Sequence, residues 1–136
     1  KRRLIIIAVI FIALGSYPSF VIGYTWLNVY KSDFKGGKHG PLDAYRHTLA
    51  SAVVTYTTNE YAVKLATNIM ERNDKNSNKM DIHNNNIGIQ IGKNAKSFYD
   101  LKPEVHQSVS KGTVNTNNPN QTTWLPEKEW HEGLIW

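Results

Sequence analysis

Pro41-Leu42-Asp43-Ala44-Tyr45-Arg46-His47-Thr48-Leu49-Ala50-Ser51-Ala52-Val53 is the stretch on which the reading of the fold turns. Pro41 suits the first turn of a helix, where its missing N–H is not needed. Leu42, Tyr45, Leu49, Ala52 and Val53 then fall at helical spacing, so Leu42–Thr57 is expected to be a helix with one apolar face. The β-branched cluster Val53–Thr58 weakens its far end. The same helix carries a polar face, because Asp43 and His47 are i and i+4 and Ser51 continues the line. A carboxylate one turn from an imidazole fixes its tautomer and raises its basicity, the local chemistry of a general base or a metal ligand. The plainer reading is a helix-start Asp complementing the dipole beside an ordinary, partly buried histidine.

Toward the C-terminus, Tyr61, Leu65 and Ile69 lie one turn apart with Ala62, Ala66 and Met70 beside them, predicting a second helix over Glu60–Arg72. Asn73–Asn78 reads as a polar loop. Met80, Ile82, Ile87 and Ile91 predict a third helix over Lys79–Lys93, against the low helix propensity of Gly88 and Gly92. Pro103 starts a short fourth helix, Pro103–Lys111, which Gly112 stops. Thr113–Thr123 is an Asn/Thr-rich loop. The tail Trp124–Trp136 carries three of the four tryptophans, whose rings need a surface to cover. No strand is expected. The fold class is all-α, a small bundle of three to four helices over 41–112 followed by an irregular tail over 113–136.

Toward the N-terminus, 31–40 is a Gly-rich hinge. Before it, Lys1-Arg2-Arg3 precedes eleven uninterrupted apolar residues, Leu4–Leu14, and a second apolar stretch runs Phe20–Tyr30. Residues 1–30 therefore read as a signal or membrane-anchor segment. Either Leu4–Leu14 is the core of a secretory signal cut near Ala13 and Gly15, or Leu4–Val29 is one spanning helix kinked near Pro18, with Tyr24, Trp26 and Tyr30 as an interfacial collar. The basic start argues against a helix buried in a soluble core. Positive charge stays inside, so the rest of the chain is expected in the periplasm or exterior, anchored to the inner membrane or secreted.

A chain of 136 residues makes one domain. Its net charge of +5 is partly Lys1–Arg3, and no basic block interleaved with aromatics provides a nucleic-acid groove. Attraction to anionic phospholipid or wall polymer uses such mild charge better. With no cysteine, any metal must take His, Asp, Glu or Asn ligands.

The second polar segment is Met80-Asp81-Ile82-His83-Asn84-Asn85-Asn86. Asp81 and Asn85 are i and i+4. Three consecutive Asn cost helix propensity, so a neighbouring backbone or a ligand should compensate; the alternative is an Asn-rich break between elements. Glu71 sits at the end of the second helix, where the macrodipole disfavours an acid unless Arg46, Arg72 or a cation is near. His39, His106 and His131 fall at no metal spacing, and no HExxH, P-loop, GxSxG or GxGxxG occurs.

The order Asp43-Ala-Tyr-Arg46-His47, then Glu71, then Met80-Asp81-Ile-His83-Asn84-Asn85 and Gly88 resembles a bacterial domain family of uncharacterised function. Its pattern is Asp-Ala-x-Arg-His, Ala-His-Glu and Met-Asp-x-His-Asn-Asn-x-x-Gly, and such domains occur in secreted, toxin-like or repeat-containing proteins. The resemblance covers about Gly40–Gly112 and implies an all-helical module without supplying a reaction. Here Met70 replaces the His of the middle motif, which puts any catalysis through that His in doubt. Gly88 would serve close helix packing.

Two functions follow as expectations. One is a hydrolase of phospholipid or peptidoglycan. In it His47 is base or ligand, Asp43 its orienter, and Asp81 and Glu71 further carboxylates. Asn84 and Asn85 with His83 are polar binding groups, Arg46 holds a phosphate or carboxylate, and a divalent metal is the cofactor this set admits. The other is a non-catalytic, membrane-anchored binding module whose polar residues pin helices together.

Overall fold

A computed structural model describes residues 1–70 and 75–133, with the side chains of residue 4 and residues 7–14 outside that description. Five helices follow in order: α1 (Arg2–Tyr30), α2 (Pro41–Thr57), α3 (Glu60–Met70), α4 (Asn76–Asn94) and α5 (Phe98–Ser110). Two-residue strands β1 (Thr113–Val114) and β2 (Thr123–Trp124) pair in parallel, and one turn of 3-10 helix covers Glu127–Glu129.

α2 is the hub and touches each of the other helices. Its apolar face places Tyr45, Leu49, Ala52 and Val53 against Leu101, Val105 and Val109 of α5 and Val21 and Val29 of α1. These are the periodic positions that predicted the helix. The opposite face of α2 lies on α4, where Gly88 and Gly92 let the two backbones approach: a Cβ on Gly88 would stand 2.4 Å from the Thr48 carbonyl oxygen, and one on Gly92 2.5 Å from that of Ala52. The two glycines that lower helix propensity are thus the ones that make the contact.

The mostly helical class holds, with corrections. Asn76–Asn78, expected in a loop, form the first turn of α4. α5 begins five residues before Pro103 because the Asp100 carboxylate accepts from both the N–H and the hydroxyl of Ser97, each at 2.9 Å. Pro103 lies inside the helix and leaves the Tyr99 carbonyl without its helical donor, at a position where Tyr99 faces solvent. The Asn/Thr-rich stretch expected as loop contains β1 and ends at β2.

The N-terminal segment is one helix through Pro18. Tyr17, Val21, Tyr24, Trp26 and Val29 pack into the domain core, so the second half of the expected span is taken up by α2 and α5. Among the described residues no helix is long and apolar enough to cross a membrane, and a membrane-spanning N-terminal helix lacks support. Two of the tail tryptophans cover the domain itself, Trp124 packing on the core and Trp130 lying on Gly36, whose φ of 75° and lack of a side chain admit the ring; Trp136 lies outside the described residues.

Candidate functional site

Asp43 sits in the first turn of α2 and is almost fully buried. One oxygen, Oδ2, accepts the His39 backbone N–H at 2.8 Å and ties the helix start to the turn before it. The other, Oδ1, accepts from Arg46 Nη2 at 2.6 Å. His47, one turn on, brings Nε2 to 3.6 Å from Asp43 Oδ1 and 3.3 Å from Asp81 Oδ1 on α4. Arg46 Nη2 also lies 2.9 Å from His47 Nε2. A guanidinium only donates, so Nε2 accepts and the neutral ring carries its proton on Nδ1. The Asn85 side chain also hydrogen-bonds the ring.

The electrostatics agree with a neutral imidazole. Burial pushes the His47 pKa down to about 4, and the Arg46 cation adds to this; Asp43 and the Asn85 bond act in the opposite direction. One ligand atom each from Asp43, His47 and Asp81 lies within 4.8 Å of the others, a hard oxygen and imidazole set that suits a divalent cation. Arg46 Nη2 already stands within hydrogen-bonding distance of two of those atoms, so a metal would have to displace the guanidinium.

Arg46 stacks on Trp26 of α1 at 5.7 Å and, with His47, closes the polar end of a cleft of about 560 Å³ between α1, α2 and α3. Ser51 and Asn85 share that end. The Asn85 amide oxygen accepts from Ser51 Oγ at 2.8 Å, and its nitrogen donates to Thr67 Oγ1 of α3 at 3.0 Å. The remaining lining is largely apolar.

Asp43, Arg46, His47, Asp81 and Asn85 are therefore brought together. His83 and Asn84 point elsewhere: His83 Nε2 meets the Gln121 carbonyl at 2.8 Å, and the Asn84 amide takes both the N–H and the carbonyl of Thr123, at 2.9 and 2.7 Å. Glu71 lies outside the described residues. Met70, where the resemblance expects His, lines the cleft and is exposed. The sequence reading missed Thr25, Trp26 and Thr67, and with them the cleft; treating residues 1–30 as a separate segment hid the wall they supply.

By class, this is a small helical domain with a largely buried His–Asp–Asp cluster whose His47 lines an apolar cleft. The chain belongs to the family described as domain of unknown function DUF6973, which matches residues 7–117. No curated protein and no solved structure matches it. An uncharacterised domain family was expected from the motifs; the bacterial, secreted and toxin-like associations of that resemblance are no part of the match.

Proposed function

We propose that the domain is a hydrolase of bacterial envelope material in which His47 acts as general base between Asp43 and Asp81. The observation that carries this is the convergence of two carboxylates on one neutral imidazole, His47, which lines a substrate-sized cleft. In the resting arrangement Arg46 occupies the His47 lone pair. An anionic group entering the cleft draws the guanidinium away from Nε2. That removes a cation while the carboxylates stay, so His47 becomes a stronger base. Its Nε2 then takes a proton from water as the water oxygen attacks the ester carbon or phosphorus. The leaving alkoxide takes that proton back when its bond breaks, giving an acid and an alcohol. Asn85 and Ser51 supply hydrogen bonds at the same end.

In this reading the domain works outside the cytoplasm, and the basic start of α1, with exposed Ile5 and Ile6, rests against anionic lipid. A divalent metal in place of Arg46 is the variant mechanism, supported by the spacing of the three ligand atoms. The second reading, a non-catalytic binding module, is favoured by Arg46 already neutralising the cluster.

The test is incubation of the purified chain with phospholipid vesicles and with murein, in chelator and in added Mg²⁺, Mn²⁺ or Zn²⁺. Release of acid or alcohol that is lost in His47→Gln and kept in His106→Ala supports the hydrolase. Dependence on metal assigns the metal variant. No product under any condition, with a folded chain, leaves the binding module.

A further inference from the structure

We infer that the cleft between α1, α2 and α3 holds a single acyl chain of an anionic amphiphile, whose charged end lies against Arg46. This deepens the hydrolase reading by choosing lipid over murein, and it rests on that reading only for what happens to the bound molecule.

Three observations support it. The cleft is lined mainly by apolar and small side chains, among them Val21, Val54, Val63 and Ala66, which offer no partner to a sugar or peptide. Its volume of about 560 Å³ lies within the range of small-molecule sites. Among the described residues the one cationic side chain lining it is Arg46, held on Trp26 and paired with Asp43 beside His47, so shape and charge both match a tail whose anionic head competes for the guanidinium.

Two exposed apolar residues also line the cleft, Ile22 on α1 at 59% and Met70 on α3 at 74%.

The experiment measures calorimetric binding of octyl-, decyl- and dodecylphosphonate below micelle formation, molecules whose carbon–phosphorus bond a hydrolase cannot cut. Inorganic phosphate and dodecyltrimethylammonium are the comparators. Affinity is expected to rise about fourfold per added methylene, the value of burying one CH₂. It should be weak for phosphate and for the cation. Ala66→Trp, on an exposed position of α3 lining the cleft, should abolish binding with an unchanged melting temperature; Arg46→Gln should remove the preference for the anionic head.

Binding that ignores chain length, equals that of the cationic amphiphile or survives Ala66→Trp overturns the inference. The two proposals separate cleanly. Length-dependent binding without hydrolysis of any lipid keeps the acyl site and removes the hydrolase. Hydrolysis of murein without phosphonate binding keeps the hydrolase and removes the acyl site.

Discussion

Gly88→Ala isolates the contact that holds the candidate site together. The added methyl carbon would stand 2.4 Å from the Thr48 carbonyl oxygen, 2.7 Å from Ser51 Cβ and 3.0 Å from the Ala52 nitrogen. Two of these neighbours are backbone atoms of α2, which no rotamer change moves. Ordinary contact begins near 3.4 Å, so α4 must retreat from α2 by about 1 Å. Overpacking of this kind costs roughly 1–3 kcal/mol, and the better helix propensity of Ala returns about 1 kcal/mol. With backbone as the obstacle the cost sits at the high end, leaving a net loss of about 2 kcal/mol. For a domain of this size that is a fall in melting temperature on the order of 5–8 °C. The same shift moves Asp81 and Asn85 away from His47, and a displacement of about 1 Å can reduce turnover on the order of a hundredfold. Gly23→Ala is the control: nothing lies within 4 Å of its added carbon, so the exposed helix position should gain up to about 1 kcal/mol. Thermal melts followed by circular dichroism read stability, and the NMR shifts of the His47 ring read the site. A Gly88→Ala protein that melts with the wild type and leaves the His47 signals unmoved would refute the close α2–α4 crossing.

Other consequences can be checked separately. Because the native His47 pKa is about 4 and the unfolded value is near 6.5, the unfolded chain binds a proton between those values that the native ring refuses. Stability should therefore fall as pH drops from about 6.5 toward 4, by at most about 1.4 kcal/mol per unit from this group; His47→Gln should flatten the slope, and a His47 ring titrating near 6.5 in the folded protein would contradict it. Asn84→Ala strips two buried hydrogen bonds from the Thr123 main chain and should cost about 2–4 kcal/mol, with faster amide exchange at Thr123. Protection at Thr123 equal to wild type would show that the strand docks without Asn84. Ser97→Ala should cost about 1 kcal/mol by loosening the start of α5, and an unchanged melt would remove the cap from the account.

What the sequence made legible is what periodicity governs. The apolar face of α2 emerged from the spacing of Tyr45, Leu49, Ala52 and Val53, and its polar face from Asp43 and His47. Asp43 proved to serve both readings at once, sitting in the first turn where it complements the dipole and holds the preceding turn through one oxygen, and joining the cluster through the other. The union of α2 and α4 was suggested by the order of the two motifs, but the split within Asp81–Asn85 was not, because a run of polar residues carries no sign of which face meets which neighbour. The start of α5 was misread since Pro103 is a strong marker and Ser97 with Asp100 a quieter one. The short parallel pair has too few residues for a period-two pattern. Residues 17–29 suit lipid or a protein core equally by hydropathy, and tertiary packing alone distinguishes the two.

The way α4 grips the end of the chain has a consequence for how this domain should be recognised. His83 and Asn84 contact Gln121 and Thr123 only through main-chain atoms, and Gln90 likewise reaches the Pro119 carbonyl at 3.4 Å. The reader is written in side chains, while the text it reads is bare peptide. These bonds by themselves dictate no side chain in the segment; its side chains answer to other neighbours, Thr122 donating to the Ser108 carbonyl and Trp124 packing on the core. The family match ends at residue 117, ahead of that segment. Relatives are better sought by the gripping residues on α4 together with the buried Thr122 and Leu125 and the core-packed Trp124 than by the residues whose main chain alone is held.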